Sequence, residues 1–173
     1  MTSLLCKVRR LLDLIYLTAG VLSAVFLFLI LVIIVAQMVA RATGIGFPGS
    51  TDYAGYMMAA ASFMAFAYTL NKGGHVRVSI LLGRLQGKTR YIAELLCHAM
   101  ATAFTCILAW YAVTMVYWSH LLGDVSQGHD ATPLWIVQTP VAVGSVILAL
   151  CFADNLISML IRKHDNIVAE IVQ

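Results

Sequence analysis

A small set of side chains in this sequence has the chemistry to bind, catalyse or conduct, and spacing limits what each can do. Glu94 and His98 stand four residues apart, one turn of helix, so they can hydrogen-bond on a common face. A bis-histidine haem site needs a second imidazole at matching depth on a facing helix. His164 lies just past the last apolar run and is poorly placed for that, and His75, His120 and His129 fall elsewhere. Arg41 and Asp52 sit at the ends of two apolar runs joined by a tight turn. They can pair and lock a hairpin, or face the polar surface of a partner. The sequence holds no H-E-x-x-H, no Gly-rich phosphate loop and no G-x-S-x-G elbow, and Gly73-Gly74 is a turn signal. Cys6, Cys97, Cys106 and Cys151 never fall as C-x-x-C, so neither a redox motif nor a disulfide framework is indicated. Nothing here supports an enzyme, and no catalytic, metal or substrate residue is assigned.

The elements that must position these residues are apolar. The chain has 173 residues, 61% of them hydrophobic and 11% charged, with a mean hydropathy of +0.89. Soluble domains carry about 25% charged residues, so this composition predicts an all-α integral membrane protein forming a single membrane domain. Four apolar segments are read as spans, over about 14–40, 52–70, 92–121 and 133–161. The N-terminal stretch resembles a signal peptide in charge, but its apolar run is too long, and it is read as a retained anchor. Ser50 or Thr51 is expected to cap the second span, with Asp52 in its first turn. That span is rich in Ala, Gly and Ser, which let helix backbones approach closely in lipid. Trp110, Tyr111, Tyr117 and Trp118 crowd the far half of the third span as an aromatic belt. Pro140 falls inside the fourth span, where it is expected to kink the helix.

Charge placement sets the orientation. The net charge is +3, but the cations flank apolar segments, which speaks for topology and not for a nucleic-acid partner. Ten of the eleven Lys and Arg fall on one side of the four spans, and Arg41 alone falls on the other, with Asp52, Asp124 and Asp130. The positive-inside rule then puts both termini and the 71–90 connection in the cytoplasm. Within that connection Val78, Leu81, Leu82 and Leu85 recur at helical spacing beside Arg77, Arg84 and Lys88. This pattern predicts a short amphipathic helix over about 76–88, lying in the membrane interface with its cations toward phospholipid phosphates. His75 and Arg77 are expected to contact helix ends or lipid there. Ionisable groups at mid-span mark ion and substrate paths, and the four spans have almost none.

Several of these residues also form a pattern. Gln37 and Arg41 close the first span, Tyr68 precedes Gly73-Gly74-His75-Val76-Arg77-Val78, Leu81, Leu82 and Leu85 follow, and the fourth span carries Pro140, Val141 and Gly144. Over about residues 14–161 this resembles the small four-helix membrane subunit, the DctQ type, of tripartite ATP-independent periplasmic (TRAP) transporters. Where relatives open the second span with a Trp and paired glutamates, this chain has Ser50-Thr51-Asp52-Tyr53. The resemblance implies a multi-pass protein of the bacterial inner membrane. It implies a large membrane partner, about one to one, that holds the sodium and substrate sites, and a periplasmic binding protein delivering an organic acid. The small subunit itself would hold no cofactor and no substrate, and would act as a scaffold. The competing reading from the residues is a haem-bearing membrane anchor of an oxidoreductase.

Overall fold

The computed structural model describes residues 2–71, 88–128 and 131–162. These residues form four helices: α1 (Thr2–Ala42), α2 (Ser50–Asn71), α3 (Lys88–Leu122) and α4 (Leu134–Arg162). Among the described residues there is no strand, only an isolated antiparallel bridge between Val125 and Pro133. The expected interfacial helix over 76–88, with Val78, Leu81, Leu82 and Leu85 and with His75 and Arg77, falls almost wholly on residues 72–87 and lies outside the described residues.

The helices lie side by side in the order α1, α2, α4, α3. The helix α1 packs on α2, α2 on α4 and α4 on α3, while α1 only grazes α4. In the middle of this layer α2 has protein on two sides. Its small residues Ala60, Ala61 and Ala67 are buried, which lets both neighbours come close. On the α1 side, Ser23 Oγ donates to the Ala61 carbonyl at 2.8 Å, and Gly20 lies under the Tyr68 ring, where a Cβ would meet Cγ at 2.8 Å. On the α4 side, Gly144 faces the α2 backbone itself: a Cβ there would stand 2.7 Å from the carbonyl carbon of Phe63. One apolar core joins the three helices, built on Tyr16, Ala67, Leu70, Leu148 and Cys151.

Three of the helices are long and apolar enough to cross a membrane, over Arg9–Ala42, Tyr91–Leu122 and Leu134–Leu160. The helix α2 is not among them, although its 22 residues reach about 33 Å at about 1.5 Å per residue, enough for a hydrocarbon core of about 30 Å. Its Ala, Gly, Ser and Tyr content lowers its mean hydropathy, and it is packed between two other helices. The helix α1 begins at Thr2, well before the apolar run from about residue 14. Its end is a glycine cap: Gly44 takes φ +73°, Ile45 N–H donates to the Ala40 carbonyl at 2.9 Å and Gly44 N–H to that of Arg41 at 3.4 Å. The first bond of α2 runs from Tyr53 N–H to the Gly49 carbonyl at 3.1 Å. Gly49, at φ +80°, therefore takes the N-cap position expected of Ser50 or Thr51, and Ser50 is buried instead.

The α2–α4 crossing has no spare room. Gly144→Ala places a methyl against backbone that cannot rotate away, and overpacking of this kind costs about 1–3 kcal/mol. Gly20→Ala meets only a movable ring and should cost less. Thermal unfolding in mild detergent is expected to rank wild type above Gly20→Ala and Gly20→Ala above Gly144→Ala; an unchanged Gly144→Ala melt would remove the close crossing as a constraint.

Candidate functional site

Polar chemistry within the layer is turned inward on the helices. The hydroxyls of Ser62, Thr69, Thr102, Thr105, Thr114 and Ser145 each donate to the carbonyl four residues earlier in their own helix, at 2.7–3.0 Å. His98 follows the same habit, with Nδ1 3.0 Å from the backbone carbonyl of Glu94, so the bond expected between these residues reaches Glu94's main chain. Near the Asn71 end of α2, the Cys151 thiol donates to the Ala67 carbonyl and Asn155 Nδ2 donates to Cys151 Sγ, both at 3.8 Å. The Tyr16 hydroxyl is buried beside them without a partner among the described residues. The described residues hold no cluster of three metal-ligating side chains.

A groove of about 400 Å³ runs between α3 and α4, lined by Val113, Val116 and Tyr117 on one wall and Ala142, Val143 and Val146 on the other. Thr139 also borders it, but its hydroxyl donates to the Trp135 carbonyl at 2.6 Å. Nothing convergent and polar points into the space, so it suits hydrocarbon and not a charged solute.

At the Ser50 end of the layer, the α3–α4 loop is strapped onto the first turns of α2. Asp124 and Leu134 close the loop through the Leu134 N–H to Asp124 carbonyl bond at 3.0 Å, and Ser126 N–H donates to the Thr132 carbonyl at 2.8 Å. Two tyrosines of α2 reach up to it: the Tyr56 hydroxyl lies 2.6 Å from Ser126 Oγ, and the Tyr53 hydroxyl 3.3 Å from Thr132 Oγ1. The Asp52 carboxylate lies on the backbone of Gly128, where a Cβ would meet Oδ2 at 2.5 Å. Arg41, in the last turn of α1, and Asp52, in the first turn of α2, are both exposed. The contact seen for the Asp52 carboxylate is with the loop at Gly128, and its pairing with Arg41 stays an expectation. Trp110, Tyr111, Tyr117 and Trp118 all lie exposed along α3, and Trp135 joins them through an edge contact with His120, ring centres 5.2 Å apart.

Sequence reasoning singled out Asp52 and Gly144 but not what they touch, and it missed Tyr53, Tyr56, Ser126 and Thr132 altogether. Two tyrosines three residues apart at a helix start are a detectable signal, since a membrane-embedded hydroxyl needs a partner.

Apolar helices of membrane-crossing length define the chain as an integral membrane protein. Residues 30–162 match the family described as tripartite ATP-independent periplasmic transporters, DctQ component, and the chain belongs to that family. No curated protein matches it. The family is one of transporter components and not of enzymes, and it gives no support to the haem-anchor reading. Tyr16, Gly20 and Ser23, which hold α1 to its neighbours, precede the matched region.

The tyrosine strap is testable by a double-mutant cycle. Tyr56→Phe and Ser126→Ala should each cost about 1 kcal/mol, with a coupling of about 0.5–1.5 kcal/mol between them. Amides of residues 124–134 should exchange faster in either variant. Additive losses with unchanged exchange would show that the 2.6 Å contact carries no weight.

Proposed function

We propose that this small TRAP permease subunit is a scaffold for the large membrane subunit of a sodium-coupled uptake system for an organic acid. One observation carries the reading: many Ser and Thr hydroxyls of the described helices are tied to their own or neighbouring backbones, and the groove between α3 and α4 is apolar. A solute or sodium path needs convergent polar groups with spare bonding capacity, so the substrate and sodium sites belong on the large partner.

In this reading α2 is the fourth span, both termini are cytoplasmic, and the membrane is the bacterial inner membrane. The positive-inside count supports that orientation. The partners are the large subunit, at about one to one, a periplasmic binding protein that delivers the acid, and phospholipids. His75 and Arg77, beyond the described residues, contact helix ends or lipid phosphates at the cytoplasmic side, and Val78, Leu81, Leu82 and Leu85 form the apolar face of an interfacial helix there.

Liposomes holding this chain alone should show no solute uptake. Adding the large subunit and the binding protein should restore uptake, with the two membrane subunits copurifying in equal amounts. Flux through this chain by itself, or full uptake by the large subunit without it, would refute the scaffold role. His75→Ala with Arg77→Ala should lower both copurification and uptake.

A further inference from the structure

We infer that Asp13 of α1 and Asp154 of α4 form an acidic recess beneath the end of α2, and that Arg77 of the 72–87 connection fills it. The inference narrows the contact proposed for Arg77 and does not depend on the transport role. Three contacts set the levels of the helices. Ser23 on Ala61 and Gly20 on Tyr68 register α1 antiparallel to α2, and Gly144 on Phe63 registers α4 parallel to it. Counted from these contacts, Asn71, where α2 ends, lies within about one turn of the level of Asp13 and of Asp154. Below that level α1 continues to Thr2 and α4 to Arg162.

Negative potential collects there from three sources. Asp13 and Asp154 both lie near enough for their charges to act on the Tyr16 hydroxyl and the Cys151 thiol. The third source is α2 itself, whose C-terminal pole is negative and whose last turn holds no basic residue. Tyr16 is 2% exposed, and its hydroxyl has no hydrogen-bond partner among the described residues. Helical side chains lean toward the helix N-terminus, so this hydroxyl leans from α1 toward the level of Asp13, where it can accept from a cation. Carboxylates and an orphaned hydroxyl at the edge of a hydrocarbon core call for a cationic partner.

The chain itself supplies one. It leaves α2 at Asn71 and enters α3 at Lys88, and residues 72–87 carry Lys72, Arg77 and Arg84 with no Asp or Glu. Arg77 stands six positions past Asn71, a reach of about 20 Å when extended, against about 8–10 Å between neighbouring helix axes. Gly73 and Gly74 intervene, and a glycine pair lets a chain double back. Lys72 follows Asn71 directly and has no such slack, while Arg9 and Arg10, about one turn from Asp13, are exposed. A planar guanidinium can donate to two carboxylates at once, which suits a recess with one on either side.

Thermal unfolding of this chain alone in mild detergent tests the pairing. Arg77→Ala and Asp154→Asn should each lower the midpoint by about 3–6 °C, and the double variant should fall no further than the worse single. Asp13→Asn should couple to Arg77→Ala in the same way. Arg77→Asp with Asp154→Arg should regain most of what either reversal loses. Additive losses, or coupling to Lys72→Ala in place of Arg77→Ala, overturn the inference. Should the reversals fail to fold, a photo-crosslinking residue at position 77 of the otherwise native chain in liposomes should join peptides holding Asp13 or Asp154. Adducts with lipid alone overturn it. None of these readings involves uptake, so their failure leaves the scaffold role standing.

Discussion

The crossing of α2 and α4 at Gly144 is the constraint on which the other contacts depend. With no side chain at that position, the α4 backbone comes to rest on the backbone of Phe63. That distance brings Cys151 within reach of the Ala67 carbonyl, and it brings α4 near enough for Tyr16 of α1 to join the same core. In lipid no hydrophobic effect pulls helices together, so close packing of small residues has to supply the attraction. The sequence places Ala60, Ala61 and Ala67 on α2 and glycines on both neighbours, Gly20 and Gly144, which is what such packing needs.

Polar economy follows from the same environment. A buried hydroxyl or thiol in hydrocarbon must find a partner or bear the cost of desolvation. Along these helices Ser and Thr solve this locally, by donating to the preceding turn. Long-range polar bonds, such as Ser23 to Ala61, Tyr56 to Ser126 and Tyr91 to the Met159 carbonyl, fasten one element to another. Transport requires the opposite, polar groups left unsatisfied until a solute arrives.

Much of the fold is legible in the sequence. The apolar runs announce α1, α3 and α4, and the Gly- and Pro-containing segment at residues 43–50 announces the turn between α1 and α2. The start of α1 at Thr2 was not legible as a helix boundary. Cations after a short apolar stretch mark the edge of a membrane, yet Leu, Lys and Arg are good helix formers and the backbone continues through them. The site was less legible. Arg41 and Asp52 suggest a pair because they flank a short turn, whereas the contact of the Asp52 carboxylate with the α3–α4 loop at Gly128 joins positions far apart in the chain. The strap joins residues 70 and more positions apart, and no local pattern encodes such a distance.

Hydropathy itself proves to report surroundings more than crossing. On α1, which packs on α2 and only grazes α4, exposed Leu, Val, Ile and Phe cover most of the described surface, and among its described side chains a stripe of Tyr16, Ala19 and Ser23 is buried. That helix has by far the higher apolar score. The helix α2, similar in length to the membrane core, scores below its neighbours because two of its sides are protein. Its open stripe carries Met58, Ser62, Phe66 and Thr69, a mixture less oily than the lipid-facing surface of α1. A layer one helix thick has two faces. Where the face over α2 is poorer in aliphatic side chains than the edges, another helix covers it at lower cost than lipid does. The same residues that hide α2 from a hydropathy scan therefore argue that the layer is one wall of a larger assembly.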